Sequence, residues 1–345
     1  MMHDLRPRQE QRDAINSDGI ERVTFSFYKY TKIENPQERK EELYDKWDSF
    51  GCLGRIYIAQ EGINAQMSCP KENWEKFTLY MKSQEDFTDI PFKIAVEEGG
   101  VSSFYRLAIK VKKKIVADGL NDDSFDVTNT GEYLTAEEMN EYVDDPDAVI
   151  IDMRNIYEAE IGHFENAICP DVETFREELA FVPEKLKIHK NKKMAIYCTG
   201  GIRCEKASAW LKHNGFENVK HLKGGIIDYK HQVEGEGLEN KFLGKNFVFD
   251  ERMAERIGDE VISYCHLCEK EKSDTHYNCK NNACHILYLG CDACVENKKE
   301  YCSYKCMTFD RLPKKIRKIF THNNFKNKPK HYKKHSKRGK FKVGV

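Results

Sequence analysis

Apolar residues recur along this chain with two periods, and an element ends wherever the period changes. Residues 22–27 alternate, placing Val23, Phe25 and Phe27 on one face of a strand. Asn35-Pro36 opens a helix, with the asparagine as cap and the proline at the first position. Leu43, Trp47 and Phe50 are spaced to share its buried stripe. Leu53–Ala59 and residues 63–67 read as strands joined by Gln60-Glu61-Gly62. Residues 71–82 form a second helix carrying Trp74, Phe77 and Met81, and residues 92–96 and 104–111 read as further strands. The order is β-α-β-β-α-β with one strand added.

That order suits an α+β sandwich of the ferredoxin or acylphosphatase type over residues 21–117. Residues 1–20 are polar and lack the apolar core of a signal peptide, so they read as a flexible leader. Residues 118–133, polar and containing Gly119 and Gly131, read as a linker. Thr135 and Glu138 have capping-box spacing, so a helix begins there. From 134 to 239 strands and helices alternate as βαβ units, which predicts an α/β domain with a parallel sheet covered on both faces. Residues 148–151 and 194–197 are its central strands. A Cys-rich module follows over 240–312, then a basic tail over 313–345.

The chemistry concentrates in residues 194–210, a short apolar strand, a glycine loop and a helix. Cys198 ends the strand, and Thr199, Gly200, Gly201 and Ile202 form the loop. Backbone N–H groups of such a loop and of the first helical turn converge on one spot, where they stabilise an anion. Arg203 adds a full positive charge. A helix N-terminus and a cation lower a thiol pKa, so Cys198 is the candidate nucleophile and Arg203 its partner. Cys204 reads as a helix-face cysteine in preference to a thiol that resolves an oxidised Cys198.

Upstream lie Asp152-Met-Arg154 after an apolar run, and Gly162-His-Phe-Glu-Asn-Ala167; downstream is His221-Leu-Lys-Gly224-Gly225. With the active loop between them, these blocks resemble the rhodanese domain. The loop would then lie at the carboxyl end of a parallel strand, where open α/β sheets bind ligands.

Composition adds a compartment and a partner. The chain has 345 residues, 40% hydrophobic and 33% charged, with 13 cysteines and no apolar run approaching a membrane span. Many cysteines without a secretory signal predict a soluble, cytoplasmic protein whose thiols do chemistry or bind metal. Residues 313–345 hold 13 Lys/Arg and no Asp/Glu, so the rest of the chain carries 43 Lys/Arg against 57 Asp/Glu, a net of −14. Such a basic arm, interleaved with Phe325, Tyr332 and Phe341, suits nucleic acid. Arg55 and Asn64, flanking the turn at Glu61-Gly62, are candidate RNA contacts; from spacing alone they read as parts of a hairpin, with Gly62 at positive φ and Asn64 bonding the backbone. Lys110 and Lys112, in the run with Arg106, Lys113 and Lys114, would track phosphates or protect an edge strand. No oligomeric state is specified.

The pairs Cys265/Cys268, Cys279/Cys284, Cys291/Cys294 and Cys302/Cys306 match two closed structural zinc sites of four thiolates each. A short module with little core needs such staples. His266, His276 and His285 are alternative ligands, an iron–sulfur cluster is an alternative occupant, and spacing does not fix which pairs combine.

Taken together, Gly54–Asn64, Ile151–Asn155, Cys198–Ser208, Gly244–Arg252 and the first cysteine knuckles resemble the rhodanese-domain tRNA uridine(34) hydroxylase family, from about residue 20 to 310. The resemblance implies an acylphosphatase-like domain before the rhodanese domain. It implies an oxidoreductase using molecular oxygen as co-substrate to make 5-hydroxyuridine at the anticodon wobble position, the precursor of 5-methoxy- and 5-oxyacetyl-uridine. The partner is then tRNA through its anticodon loop, with no membrane involved. Cys198 matches the family's active cysteine, described as a persulfide by analogy with rhodaneses. The residues themselves show no flavin or nicotinamide fingerprint. The alternative is a sulfurtransferase working through a Cys198 persulfide; phosphatase chemistry and a non-enzymatic RNA-binding module rank below it.

Overall fold

Alternating apolar residues and two amphipathic helices build the first domain. In this computed structural model, which describes residues 7–97, 102–313 and 315–317, a helix α1 (Arg8–Asn16) precedes β1 (Arg22–Tyr30), α2 (Pro36–Ser49), β2 (Leu53–Ala59), β3 (Gly62–Pro70), α3 (Trp74–Ser83), β4 (Lys93–Ile94) and β5 (Leu107–Val111). The sheet order is β4-β1-β3-β2-β5. The first four strands make the antiparallel ferredoxin-like arrangement, and β5 is added parallel to β2. Phe25, Phe27, Trp47 and Phe77 form an aromatic core in which Phe25 and Phe27 stack and the other contacts are edge-on or tilted. Asn35 caps α2 through Glu38 N–H as its position predicts.

Two expectations change here. Residues 8–16, expected within a flexible leader, form α1: Gln11 is buried, and the Arg12 guanidinium pairs with the Glu251 carboxylate. Arg12 also packs over the Tyr105 ring at 5.9 Å, and apolar periodicity reveals neither contact. The stretch read as a linker is tied down by charge. Asp118 and Asp122 bind Lys114 Nζ at 2.9 and 2.8 Å, and Gly131 N–H donates to Ser208 Oγ at 2.9 Å. Lys314 and residues 318–345 of the basic tail lie outside the described residues.

The second domain alternates β6 (Glu132–Leu134), α4 (Ala136–Asp144), β7 (Val149–Asp152), α5 (Ile156–Ala159), β8 (Gly162–Phe164), α6 (Phe175–Lys185), β9 (Met194–Tyr197), α7 (Ile202–His213), β10 (Val219–Leu222) and α8 (Gly225–Glu236). β6, β10, β9 and β7 make a parallel sheet in that order. Successive strand residues face opposite sides: Ile151 and Ile196 enter one core, Ile150 and Ala195 the other. The α/β rhodanese architecture and the acylphosphatase-like domain before it agree with the sequence expectation. Arg154, fully buried, binds Asp152 through Nε and Nη2 and donates to Gly162 O (2.6 Å) and Asn246 Oδ1 (3.3 Å). The Asp-x-Arg block is thus a brace joining β7, β8 and the segment that follows α8.

That segment forms β11 (Phe242–Phe247), β12 (Ala254–Arg256), β13 (His276–Asn278), β14 (Leu287–Leu289), α9 (Asp292–Lys298) and α10 (Tyr304–Asp310). β11 pairs with both β8 and β12, so the Cys-rich module is continuous with the second domain's edge. α7 also docks the first domain. Its Lys206, 3% exposed, binds Glu61 Oε2 at 3.1 Å and Asp122 Oδ2 at 2.7 Å, while Tyr28 Oη donates to Glu205 Oε1 at 2.9 Å. No helix among the described residues is long and apolar enough to cross a membrane.

Candidate active site

The loop from Cys198 to Gly201 leaves β9 and curls into α7 because two glycine positions permit it. Gly201 caps α7 at φ +94°, a conformation that side chains disfavour, and this turns its N–H onto Cys198 Sγ at 3.2 Å. Gly225, at φ +70°, packs under the loop, where a Cβ would lie 2.5 Å from Cys198 O. From there Ile226 and Ile227 N–H hold the carbonyls of Cys198 and Thr199 at 3.0 and 3.2 Å. With its carbonyls tied down by α8, the loop presents its N–H groups inward.

Those donors serve a sulfur with 0% solvent exposure. Burial alone would raise the Cys198 pKa. It is outweighed by a hydrogen bond from the Cys204 thiol, the Arg203 charge and the Arg203 and Cys204 N–H groups, which bring Cys198 down from 9.0 to about 6. Arg203 is itself held by a fork: Nη1 and Nη2 donate to the two oxygens of Glu158 at 2.8 and 2.9 Å, and Nη2 reaches Thr199 Oγ1 at 3.3 Å. Glu158 is fully buried on α5, where its Oε1 also accepts the Asn155 N–H at the start of that helix at 3.0 Å. Glu178 on α6 is also fully buried, and burial drives its pKa well above normal. An ionised Glu178 would oppose the thiolate; held as the neutral acid, it does not.

The thiolate lies on the wall of a cavity of about 550 Å³ between the two domains and the segment after α8. Thr199, Gly200, Ile202 and Arg203 share that wall. Across it stand Tyr28, Arg55, Asn64 and Lys93 of the first domain, and Phe249 and Arg252 close a third side. Arg55 Nη1 donates to Phe249 O at 3.3 Å, and Asn64 Nδ2 to Ile115 O at 3.2 Å, so both candidate RNA contacts brace the cavity rim. Lys110 and Lys112 are not brought to it. They are exposed at the end of the outer strand β5, with Lys112 Nζ 5.5 Å from the Tyr57 ring.

Sequence reasoning missed Lys93. Its side chain is 3% exposed, packs over the Tyr28 ring at 4.7 Å, and has Asp228 and Cys198 as charged neighbours. Burial lowers its pKa. A lone lysine on a two-residue strand carries no signal, because only the docking of the domains brings it to the loop. Glu158 did leave a trace in the Asn-x-x-Glu cap, though that spacing says nothing about Arg203.

The cysteines of the last module gather as two tetrads, Cys265/Cys268/Cys291/Cys294 and Cys279/Cys284/Cys302/Cys306, each with its sulfurs within 4.8 Å of one another. Each tetrad joins a cysteine pair to the second pair after it, a crossed pairing that spacing does not encode. His266 is engaged elsewhere, with Nε2 2.9 Å from Glu160 and Nδ1 accepting Leu289 N–H.

Three family models match consecutive parts of the chain: the UPF0176 acylphosphatase like domain over residues 22–115, the rhodanese-like domain over 135–232 and the rhodanase C-terminal segment over 243–307. A tRNA uridine(34) hydroxylase of Leptospira interrogans is 51% identical over 92% of this chain and 86% of its own. The chain belongs to the tRNA uridine(34) hydroxylase family. A second member, from Salmonella typhimurium, is 47% identical over 91% of this chain and 89% of its own. A solved rhodanese-related protein from Thermoplasma volcanium is 26% identical, covering 31% of this chain and 99% of its own with a TM-score of 0.24. The family match spans all three parts that enclose the cavity.

A titration of Cys198 tests the account of its thiolate. The alkylation rate of the Cys198 peptide, followed by mass spectrometry, should rise through a midpoint near 6 as the thiolate forms. Arg203→Met removes the charge and N–H donors while keeping aliphatic bulk, and should raise the midpoint by about 1–3 units. An unchanged midpoint would show that Arg203 does not set the charge state.

Proposed function

We propose that this protein hydroxylates carbon 5 of the wobble uridine of tRNA, using molecular oxygen as co-substrate and producing 5-hydroxyuridine. The observation that carries the reading is a buried thiolate facing an interdomain cavity of nucleoside size, opposite Lys93. Relatives matching nearly the whole chain bear the name of that activity. The anticodon loop is single-stranded, so its wobble base can be turned out at low cost. Cys198 adds to carbon 6 of the uracil. Negative charge then develops on the carbon-4 oxygen, where Lys93, Arg203 and the loop N–H groups stabilise it. The enolate is nucleophilic at carbon 5 and meets oxygen there. Arg55 and Asn64 at the cavity rim, with Lys110 and Lys112 beyond it, are the proposed RNA contacts. The basic tail adds attraction for phosphate in the cytoplasm.

The test is nucleoside mass spectrometry on unmodified tRNA incubated with the full chain under ¹⁸O₂. Wobble uridine should gain one labelled oxygen with the wild type and none with Cys198→Ala. Sulfur passing from thiosulfate to an acceptor through Cys198, with no oxygen gained, would replace this reading with sulfur transfer.

The two tetrads are proposed as structural zinc sites. A Zn–S bond of ~2.3 Å gives a tetrahedron whose sulfurs are about 3.8 Å apart. The sulfurs of Cys268 and Cys291 stand at 3.9 Å, those of Cys284 and Cys302 at 3.8 Å, and those of Cys302 and Cys306 at 3.5 Å. Leu267 and Cys302 N–H donate to Cys265 and Cys279 Sγ at 3.4 Å each, which stabilises thiolates. This spacing fits one ion per tetrad and is too tight for a multi-iron cluster. Metal analysis should find two zinc ions per chain, one after Cys306→Ser, and chelation should lower the melting temperature. A metal-free chain with the same melting temperature would contradict the assignment.

A further inference from the structure

Hydroxylating a C–H bond with O₂ leaves a redox imbalance. O₂ accepts four electrons when one oxygen enters the product and the other leaves as water, but the uracil gives up only two. A second donor must supply the remainder, and the structure places one beside Cys198.

Cys204 was read from sequence as an ordinary helix-face cysteine. The fold turns it inward instead. It sits in the first turn of α7, has 0% solvent exposure and shares one core cluster with Cys198, Ile151 and Leu211. Its N–H donates to Gly201 O at 2.9 Å while Gly201 N–H donates to the Cys198 sulfur at 3.2 Å, so one tight turn joins the two residues, and the Cys204 thiol helps to hold the Cys198 pKa down. The two sulfurs are therefore neighbours with unequal proton affinities: the proton rests on Cys204 while Cys198 is the anion. A reactive thiolate backed by a protonated thiol is the arrangement in which an oxidised first sulfur is captured by the second.

We infer that Cys198 and Cys204 act as a dithiol that supplies the two missing electrons and ends each turnover as a Cys198–Cys204 disulfide. The inference rests on the hydroxylase reading and deepens it. The Cys198 thiolate bonds to carbon 6, and the enolate forms a carbon 5–oxygen bond with O₂, giving a peroxide anion. Loss of the carbon 5 proton expels Cys198 and restores the ring double bond, and the peroxide takes up a proton. The freed Cys198 thiolate attacks the outer peroxide oxygen. The O–O bond breaks, leaving 5-hydroxyuridine, after protonation, and a Cys198 sulfenic acid. The Cys204 thiol then displaces hydroxide from that sulfur, forming the S–S bond and, with its proton, water. The sum is uridine, O₂ and two thiols going to 5-hydroxyuridine, water and one disulfide. A soluble dithiol regenerates the enzyme by exchange.

The experiment uses the full chain, reduced and then freed of reductant, with unmodified tRNA under ¹⁸O₂. Labelled 5-hydroxyuridine should plateau at one per chain, matched by a peptide pair joined between Cys198 and Cys204 and lighter by two hydrogens. Adding dithiothreitol should restore repeated turnover. Cys204→Ser keeps a donor to the thiolate but has no second sulfur; it should leave Cys198 as a sulfenic acid trapped by dimedone, with no disulfide. Labelled product from the wild type with both thiols still free would overturn the dithiol and leave the hydroxylase standing. No labelled product from the wild type would overturn both.

Discussion

A negative sulfur with no exposure to water is the constraint around which the rest of this molecule is arranged. Desolvating an ion costs several kcal/mol even after relaxation, so every neighbour must donate to it or be kept neutral. Gly201 turns the loop so that N–H groups face the sulfur, while α8 holds the loop carbonyls. Arg203 brings charge, but Glu158 holds it in a fork and cancels much of that charge at a distance. The Cys204 thiol, the Arg203 charge and the backbone N–H groups, in that order, hold the Cys198 pKa down. Burial keeps Glu178 protonated, which removes one source of opposition.

The second consequence is that the first domain is part of the site. Glu205 and Lys206 follow Cys204 directly on α7, and both reach that domain, through Tyr28 and Glu61. One block of sequence thus makes the anion site and docks the domain that roofs it. Docking puts Lys93 over the loop, where a Cβ on Gly200 would lie 3.8 Å from its side chain. A cation supplied from across a domain boundary meets charge that develops on the substrate, and it joins the loop donors that the thiolate releases when its sulfur bonds to carbon 6.

Much of this was legible in the sequence. Alternation in 22–27 and the continuous apolar run at 194–197 gave the strands, because antiparallel strands with one covered face and buried parallel strands leave different patterns. The Cys-x4-Arg loop with its glycines located the thiolate. What escaped shares one cause, that it depends on tertiary proximity. Lys93 is unremarkable on its strand, the crossed pairing of the cysteine knuckles needs the module's fold, and α1 is held by polar contacts such as Arg12 with Glu251. The inward turn of Cys204 belongs with these, since helical periodicity after a glycine loop does not fix which face meets the preceding strand.

The central claim is that the buried thiolate adds to carbon 6 of the uracil and makes carbon 5 nucleophilic. Leaving out oxygen isolates that step. In deuterated water under argon, the enolate should pick up deuterium at carbon 5, and expulsion of Cys198 should return a wobble uridine heavier by one mass unit. The account predicts this exchange with the wild type and its loss in Cys198→Ala. Aerobic hydroxylation by a preparation that shows no anaerobic exchange would contradict it, and would move the role of Cys198 away from the base.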